Sequence, residues 1–208
     1  MIGTPEYFVG LDLGQAQDYT ALVVAERNKV PTGELTRRGR PITEAHYAVR
    51  HLRRFPLGTG YPAIVEDVAR MVAAPELQPE PVLVVDATGV GAPVLELLDD
   101  AIRTALVVGV TITGGVEINC EGWHYKVPKR DLVSTVNVLL QTKRLRFAAA
   151  LPEAAILRQE LQQFKVRITQ TAHDTYGVWR EGAHDDLVLA VALACWYGEQ
   201  AFVSSIFH

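Results

Sequence analysis

The sequence predicts a mixed-sheet α/β domain in which three antiparallel strands precede parallel strand–helix units, all flanked by helices. Three observations carry this expectation. Residues 7–12 and 20–26 are largely apolar runs joined by a short polar turn, as in an antiparallel pair. Residues 82–86, 90–102 and 105–112 alternate as strand, helix and strand, a crossover that requires parallel pairing. Residues 187–197 are apolar on every side, which marks a buried closing helix rather than an amphipathic surface one.

The elements follow in order. Tyr7-Phe8-Val9-Gly10-Leu11-Asp12 forms the first strand, and Ala21-Leu22-Val23-Val24-Ala25 is the apolar centre of the second. Residues 28–43, rich in Pro, Gly and Arg, are expected to be a loop, and 45–55 a third strand. Ile64, Val65, Val68, Ala69 and Val72 have the spacing of an amphipathic helix after Pro62. Residues 113–127 are expected to be a Gly-rich loop, followed by a helix opening at Pro128, a favoured first-turn residue. A helix over 152–164 comes next. Residues 165–169 and 175–180 resemble the arms of a C-terminal hairpin, before a closing helix over about 185–200.

With 208 residues, 49% apolar and 21% charged, the chain suits one globular domain, 1–208. It holds no apolar run of the roughly 18–20 residues that span a bilayer, and no signal-peptide layout at its start, so a cytoplasmic protein is expected. Cys120 and Cys195 lack metal-ligand spacing, and Cys195 fits a core position. The net charge of −4 is not that of a typical nucleic-acid binder. Positive charge is nevertheless clustered at residues 37–40, 50–54, 126–130 and 143–146.

The chemistry-bearing positions are acidic. Asp12 interrupts an apolar strand, Asp86 ends another, and Asp185 and Asp186 open an otherwise hydrophobic helix. Each alone has an ordinary use, since Asp caps helices and strand ends. Together they differ, because unpaired charge on buried strands is costly and converging carboxylates need a cation. Hard oxygen ligands without Cys or His clusters suit Mg²⁺ or Mn²⁺.

Four segments sharpen this. Gly10-Leu11-Asp12-Leu13-Gly14 with Asp18-Tyr19-Thr20-Ala21, Val85-Asp86-Ala87-Thr88-Gly89-Val90-Gly91, Val127-Pro128-Lys129-Arg130-Asp131-Leu132 and His184-Asp185-Asp186-Leu187-Val188-Leu189-Ala190 resemble the nuclease domain of tailed-phage large terminase subunits. They stand in that family's order over about residues 7–198. The resemblance implies a ribonuclease H-like fold and an endonuclease that cuts double-stranded DNA during genome packaging. Asp12, Asp86 and Asp185 would be its catalytic, metal-binding carboxylates, with Asp186 a fourth and two Mg²⁺ or Mn²⁺ ions between them. Asp185 and Asp186 point about 100° apart on a helix, so the principal ligand of the two is open, Asp185 being taken first. The implied partners are an ATPase motor domain, a small terminase subunit and a portal. The chain has no Gly-x-x-x-x-Gly-Lys-Ser/Thr phosphate loop, so an excised domain or natural fragment that does not translocate DNA is expected.

Other positions carry lesser expectations. Lys126, Lys129 and Arg130 surround a helix start, where free N–H groups and basic side chains make a phosphate site. Lys165 and Arg167, alternating with Val166 and Ile168, would face outward from the hairpin as further phosphate contacts. His184 is a candidate for an outer-shell water against a plain capping role, and His173 for an exposed turn. Asp18 either supports the site or shapes its turn. Glu66 and Asp67 are expected on a solvated helix face, and Trp123 and Tyr125 in loop packing. Three other readings compete, one of them a non-catalytic DNA-binding module, which would not need buried acids. A Holliday-junction resolvase shares fold and carboxylates, and the Asp-x-Gly and Gly-rich turns also resemble the phosphate turns of actin-like sugar kinases. The latter leaves the Asp185-Asp186 helix unexplained.

Overall fold

Period-two alternation sorts the side chains of the central strands into two cores, one on each face of a mixed sheet. The computed structural model describes residues 4–14, 18–77, 79–89, 91–170 and 185–207. Its strands are β1 (Glu6–Asp12), β2 (Ala21–Leu35), β3 (Pro41–Arg54), β4 (Val82–Asp86), β5 (Leu106–Thr113), β6 (Asn119–Glu121), β7 (His124–Pro128) and β8 (Leu145–Phe147). Its helices are α1 (Tyr61–Val72), α2 (Gly91–Ala101), α3 (Lys129–Gln141), α4 (Ala154–Gln170) and α5 (Asp186–Phe207). Among the described residues the sheet has eight strands, in the order β6-β7-β5-β4-β1-β2-β3-β8. β1, β2 and β3 pair antiparallel, while β4 joins β1, and β5 joins β4, in parallel.

Phe8, Val23, Val84 and Val110 look to the face covered by α3, α4 and α5, whereas Val9, Leu11, Leu83 and Val85 look to α1 and α2. α5 is buried at nearly every position from Asp186 to Tyr197, as its all-round apolar sequence requires. No helix among the described residues is long and apolar enough to cross a membrane. Gly10 lets α5 lie directly on β1, since a Cβ there would fall 1.9 Å from the Ala190 carbonyl oxygen. Farther along α5, the buried Arg27 guanidinium donates to the Gly198 carbonyl, pairs with Glu6 at 2.8 Å and stacks 4.8 Å from the Phe8 ring. These contacts fix α5 along its length, and with it the carboxylates at its start.

Four stretches differ from the sequence expectations. Residues 28–43 are not a loop but the outer halves of β2 and β3, with a turn at 36–40. β1 ends its pairing at Arg27, so Pro31 and Gly33 lie where β2 has only β3 beside it, and a missing ladder donor costs little there. Residues 113–127 hold the short strands β6 and β7, and α3 begins at Lys129 with Pro128 as its cap. β8 (Leu145–Phe147) overlaps the end of the basic cluster 143–146. Residues 165–169 continue α4 rather than forming a hairpin arm, because the helix-forming run before them outlasts their brief alternation. The expected outward face for Lys165 and Arg167 loses its basis with the strand. The second arm, 175–180, lies outside the described residues, as do His173 and His184.

Candidate active site

The site is one row of the sheet with a helix start above it. Asp12 stands opposite Ala21, and Ala21 opposite Arg54. The β1–β4 pairing registers Leu11 with Val85, so the next step sets Asp12 beside Asp86. Alternation gives Asp12 the face of Phe8 and Gly10, and Asp86 the face of Val84, which is the α5 face. Asp185 and Asp186 begin α5 on that same face. Small Ala21, between Asp12 and Arg54, leaves room for the helix end.

Electrostatics register this convergence. Asp12 is only 8% exposed. Burial pushes its carboxyl well above the ordinary range, and the charges of Asp86, Asp186 and Asp185 push it further, with Lys129 acting the other way. The remaining carboxylates have partners within the protein. Asp86 Oδ1 accepts from the Thr88 backbone N–H at 2.8 Å and from the Thr88 hydroxyl. Thr88 Oγ1 in turn accepts from Ile112 N at 2.8 Å, tying the turn after β4 to β5. Asp185 Oδ2 lies 3.7 Å from Lys129 Nζ, and Asp186 Oδ2 lies 3.2 Å from the Arg54 guanidinium.

As arranged, no three or more Asp, Glu, His or Cys side chains among the described residues are placed to hold a metal ion. The donor chemistry is another matter. Four carboxylates at one sheet end, with Asp12 and Asp186 buried and Asp12 crowded by the others, form a hard-oxygen set with excess negative charge. Lys129 and Arg54 supply the compensating charge in the cation-free chain.

The structure separates the basic residues that the sequence groups together. Lys129 turns into the carboxylate cluster. Arg130 is exposed, donates to the Val116 carbonyl at 2.7 Å and lies 3.6 Å from Asp131. Lys126 is exposed on β7 between Tyr125 and Val127, which face α5, so it points to the opposite side of the sheet from Asp86. Asp18 is exposed. Glu66 and Asp67 lie on α1, across the sheet from the carboxylates, and pair with Arg70, Asp67 also with Arg53 at 2.7 Å. Tyr125 packs edge-on against Trp196 at 5.5 Å, whereas Trp123 is 57% exposed and is not packed as the sequence suggested.

Sequence reasoning passed over Thr88, Arg54 and Glu160. Thr88 follows Asp86 by two, the spacing of an Asp-headed turn, and that signal was available. Glu160 is 5% exposed and three residues after buried Leu157, so a carboxylate on an apolar helical stripe was its signal.

No protein-family model matches the chain, and no curated protein does. Among solved structures, the chain is similar to the large terminase nuclease from thermophilic phage G20c with bound zinc. The two share 21% identity over 91% of this chain and 80% of that one, with a TM-score of 0.53. Another crystal structure of the large terminase nuclease from that phage gives 22% identity, 91% and 81% coverage and a TM-score of 0.51. The mixed sheet and flanking helices are therefore the ribonuclease H-like fold of those nucleases.

Proposed function

We propose that the chain is the nuclease domain of a phage large terminase, an endonuclease that cuts double-stranded DNA with little sequence preference during genome packaging. The observation that carries this is the gathering of Asp12, Asp86, Asp185 and Asp186 at one end of a sheet whose fold is that of the G20c nuclease. Such a role brings the chain together with an ATPase motor, a small terminase subunit and a portal, in the host-cell cytoplasm.

In this reading Asp12, Asp86 and Asp185 hold divalent cations, two Mg²⁺ or Mn²⁺ ions, and Asp186 stays with Arg54. Bound there, such ions supply an activated water and neutralise charge on the scissile phosphate. The G20c nuclease binds zinc, and a carboxylate set accepts several divalent ions. The chain's own residues do the positioning. Thr88 fixes the rotation of the Asp86 carboxylate through two donors, and Ile112 fixes Thr88. Burial and the neighbouring acids raise the Asp12 carboxyl, and a bound cation would favour its ionised form, so metal occupancy should rise with pH. Lys129, beside Asp185, is within the cluster and available to a phosphate oxygen as it leaves its carboxylate partner. Among the basic residues, Arg130 on the exposed first turn of α3 is the favoured outer phosphate contact, with Lys165 and Arg167 ranked after it and Lys126 set aside on the opposite face.

Supercoiled plasmid with Mn²⁺ tests the proposal, alongside a second incubation with ATP and a sugar. Conversion to nicked and linear DNA ending in 5′-phosphate, with no sugar phosphorylation, is expected. Sugar phosphorylation without cutting would replace this reading with the kinase one.

A further inference from the structure

The start of α5 is held by residues outside the carboxylate set. Arg54, at the end of β3, lies between two acids. Its guanidinium donates to Glu160 Oε1 and stands 3.2 Å from Asp186 Oδ2, stacking 4.9 Å from the Tyr19 ring. Glu160 uses its other oxygen, Oε2, to accept from Val188 N at 3.1 Å. Val188 N is one of the first amides of α5, which have no partner within the helix, so Glu160 caps this helix from a different element. A second carboxylate, in the turn just before α4, joins in. Glu153 Oε1 accepts from the Arg54 backbone N–H at 3.0 Å, and Glu153 itself sits at φ 63°, a conformation unfavourable for a residue with a Cβ. Glu153 ends the turn just before α4 and Glu160 lies within the helix, so this stretch holds Arg54 at both its main chain and its side chain.

Burying two acids and an arginine is costly unless each finds partners. Glu160 is 5% exposed and Asp186 5% exposed. Burial pushes the Glu160 carboxyl up to about 7, against the pull of Arg54 and the Val188 amide. Apolar residues at these positions would pack the helix ends more cheaply. What the polar arrangement adds is direction, because the cap, the ion pair and the Asp186 contact together set both the rotation and the height of the first turn of α5. Asp185 is the residue just before that turn, and its carbonyl accepts the Leu189 amide at 2.9 Å.

We propose that Arg54 and Glu160 are positioning residues that clamp the start of α5, with Asp186 as part of the clamp, so that Asp185 is presented to Asp12 and Asp86. This rests on the metal-nuclease reading above. The clamp acts only through α5. Neither Arg54 nor Glu160 touches the cation or the DNA. Asp185 and Asp186 therefore differ in their partners, Lys129 for one and Arg54 for the other, while the charges of both act on Asp12.

The test compares Arg54→Ala and Glu160→Ala with Glu160→Gln, which keeps an acceptor for Val188, and Arg54→Lys, which keeps the charge. Leu98→Ala, in the core on the far face of the sheet, is the control for plain destabilisation. The readouts are Mn²⁺ binding isotherms on folded protein, amide exchange at 186–189 without metal, and plasmid cutting against Mn²⁺ concentration. The two clamp alanine variants should weaken Mn²⁺ half-saturation by about tenfold, as removing an outer support of a metal ligand does, and should speed exchange at the start of α5. Glu160→Gln and Arg54→Lys should recover most of the affinity. Leu98→Ala should lower Tm while leaving half-saturation unchanged. Wild-type half-saturation and exchange in folded Glu160→Ala and Arg54→Ala would overturn the clamp. If either alanine variant fails to fold, Glu160→Gln and Arg54→Lys carry the test through a smaller shift in the same readouts, and no shift in either overturns it. A wild-type chain that binds no Mn²⁺ would instead overturn the nuclease reading, and the clamp with it.

Discussion

The Lys129 ammonium lies 3.7 Å from Asp185 Oδ2, so a basic residue at the start of α3 neutralises an acid at the start of α5. Both side chains are four-fifths buried, at 20% and 19% exposure. A cation placed there weakens the attraction of the carboxylates for any other cation. Lys129→Gln should therefore tighten Mn²⁺ binding severalfold, while lowering the stability of the metal-free chain through uncompensated carboxylates. Cutting should still fall, because the phosphate loses a cation. Unchanged or weaker Mn²⁺ binding in the variant would show that Lys129 does not hold the place of a metal charge.

Asp12 contributes to the pH dependence of the metal-free chain, in the same direction as Glu160. Its carboxyl is raised by burial first and by Asp86, Asp186 and Asp185 next. A raised acid stabilises the fold fully below its unfolded value near 4, and that contribution is lost as pH rises through the folded value. Metal-free stability should therefore decline from the ordinary carboxylate range upward. Asp12→Asn should flatten that decline and gain on the order of 1–2 kcal/mol at neutral pH. Thermal unfolding in chelator across pH 4–9 checks both; a variant with the wild-type slope would assign the decline to other groups.

The basic residues divide by sheet face. Lys126→Ala should leave the slope of log affinity against log salt unchanged, because Lys126 points away from the carboxylate face. Arg130→Ala should lower that slope by about one, equally for all duplex sequences. The measurement belongs at low salt, where a single domain holds DNA most tightly. A fall for Lys126 and none for Arg130 would place the DNA across the opposite face.

Much of the site was legible because its strands are strongly apolar. β1 and β4 are largely apolar runs ended by Asp12 and Asp86, and parallel pairing alone brings those ends together. Asp185 and Asp186 stand out because they open a helix with no other polar face. The outer halves of β2 and β3 were hidden by Pro31, Gly33 and Gly39, which signal loops wherever tertiary pairing does not override them. β6 and β7 were hidden by their shortness, three and five residues around Gly122. The clamp was out of reach for a different reason. Arg54 and Glu160 are 106 positions apart, and no local pattern links them. The sequence groups Lys129 with Lys126 and Arg130 as a phosphate contact and gives no sign of its pairing with Asp185, which stands at the start of a distant helix.

Metal-dependent cutting by the acid-to-amide variants tests the central claim most directly. Wild type, Asp12→Asn, Asp86→Asn, Asp185→Asn and Asp186→Asn are incubated with supercoiled plasmid and Mn²⁺, with folding checked by thermal unfolding in chelator. The wild type should nick and linearise the plasmid, and chelator should stop it. Each of the first three variants should lose cutting by at least about a hundredfold, as removal of a group that positions the reacting centre does, while remaining folded. Asp186→Asn should keep part of the activity, since Asn can still accept from Arg54. Full cutting by folded Asp12→Asn and Asp86→Asn would contradict the account, because the row of the sheet that carries them would then not be the active site.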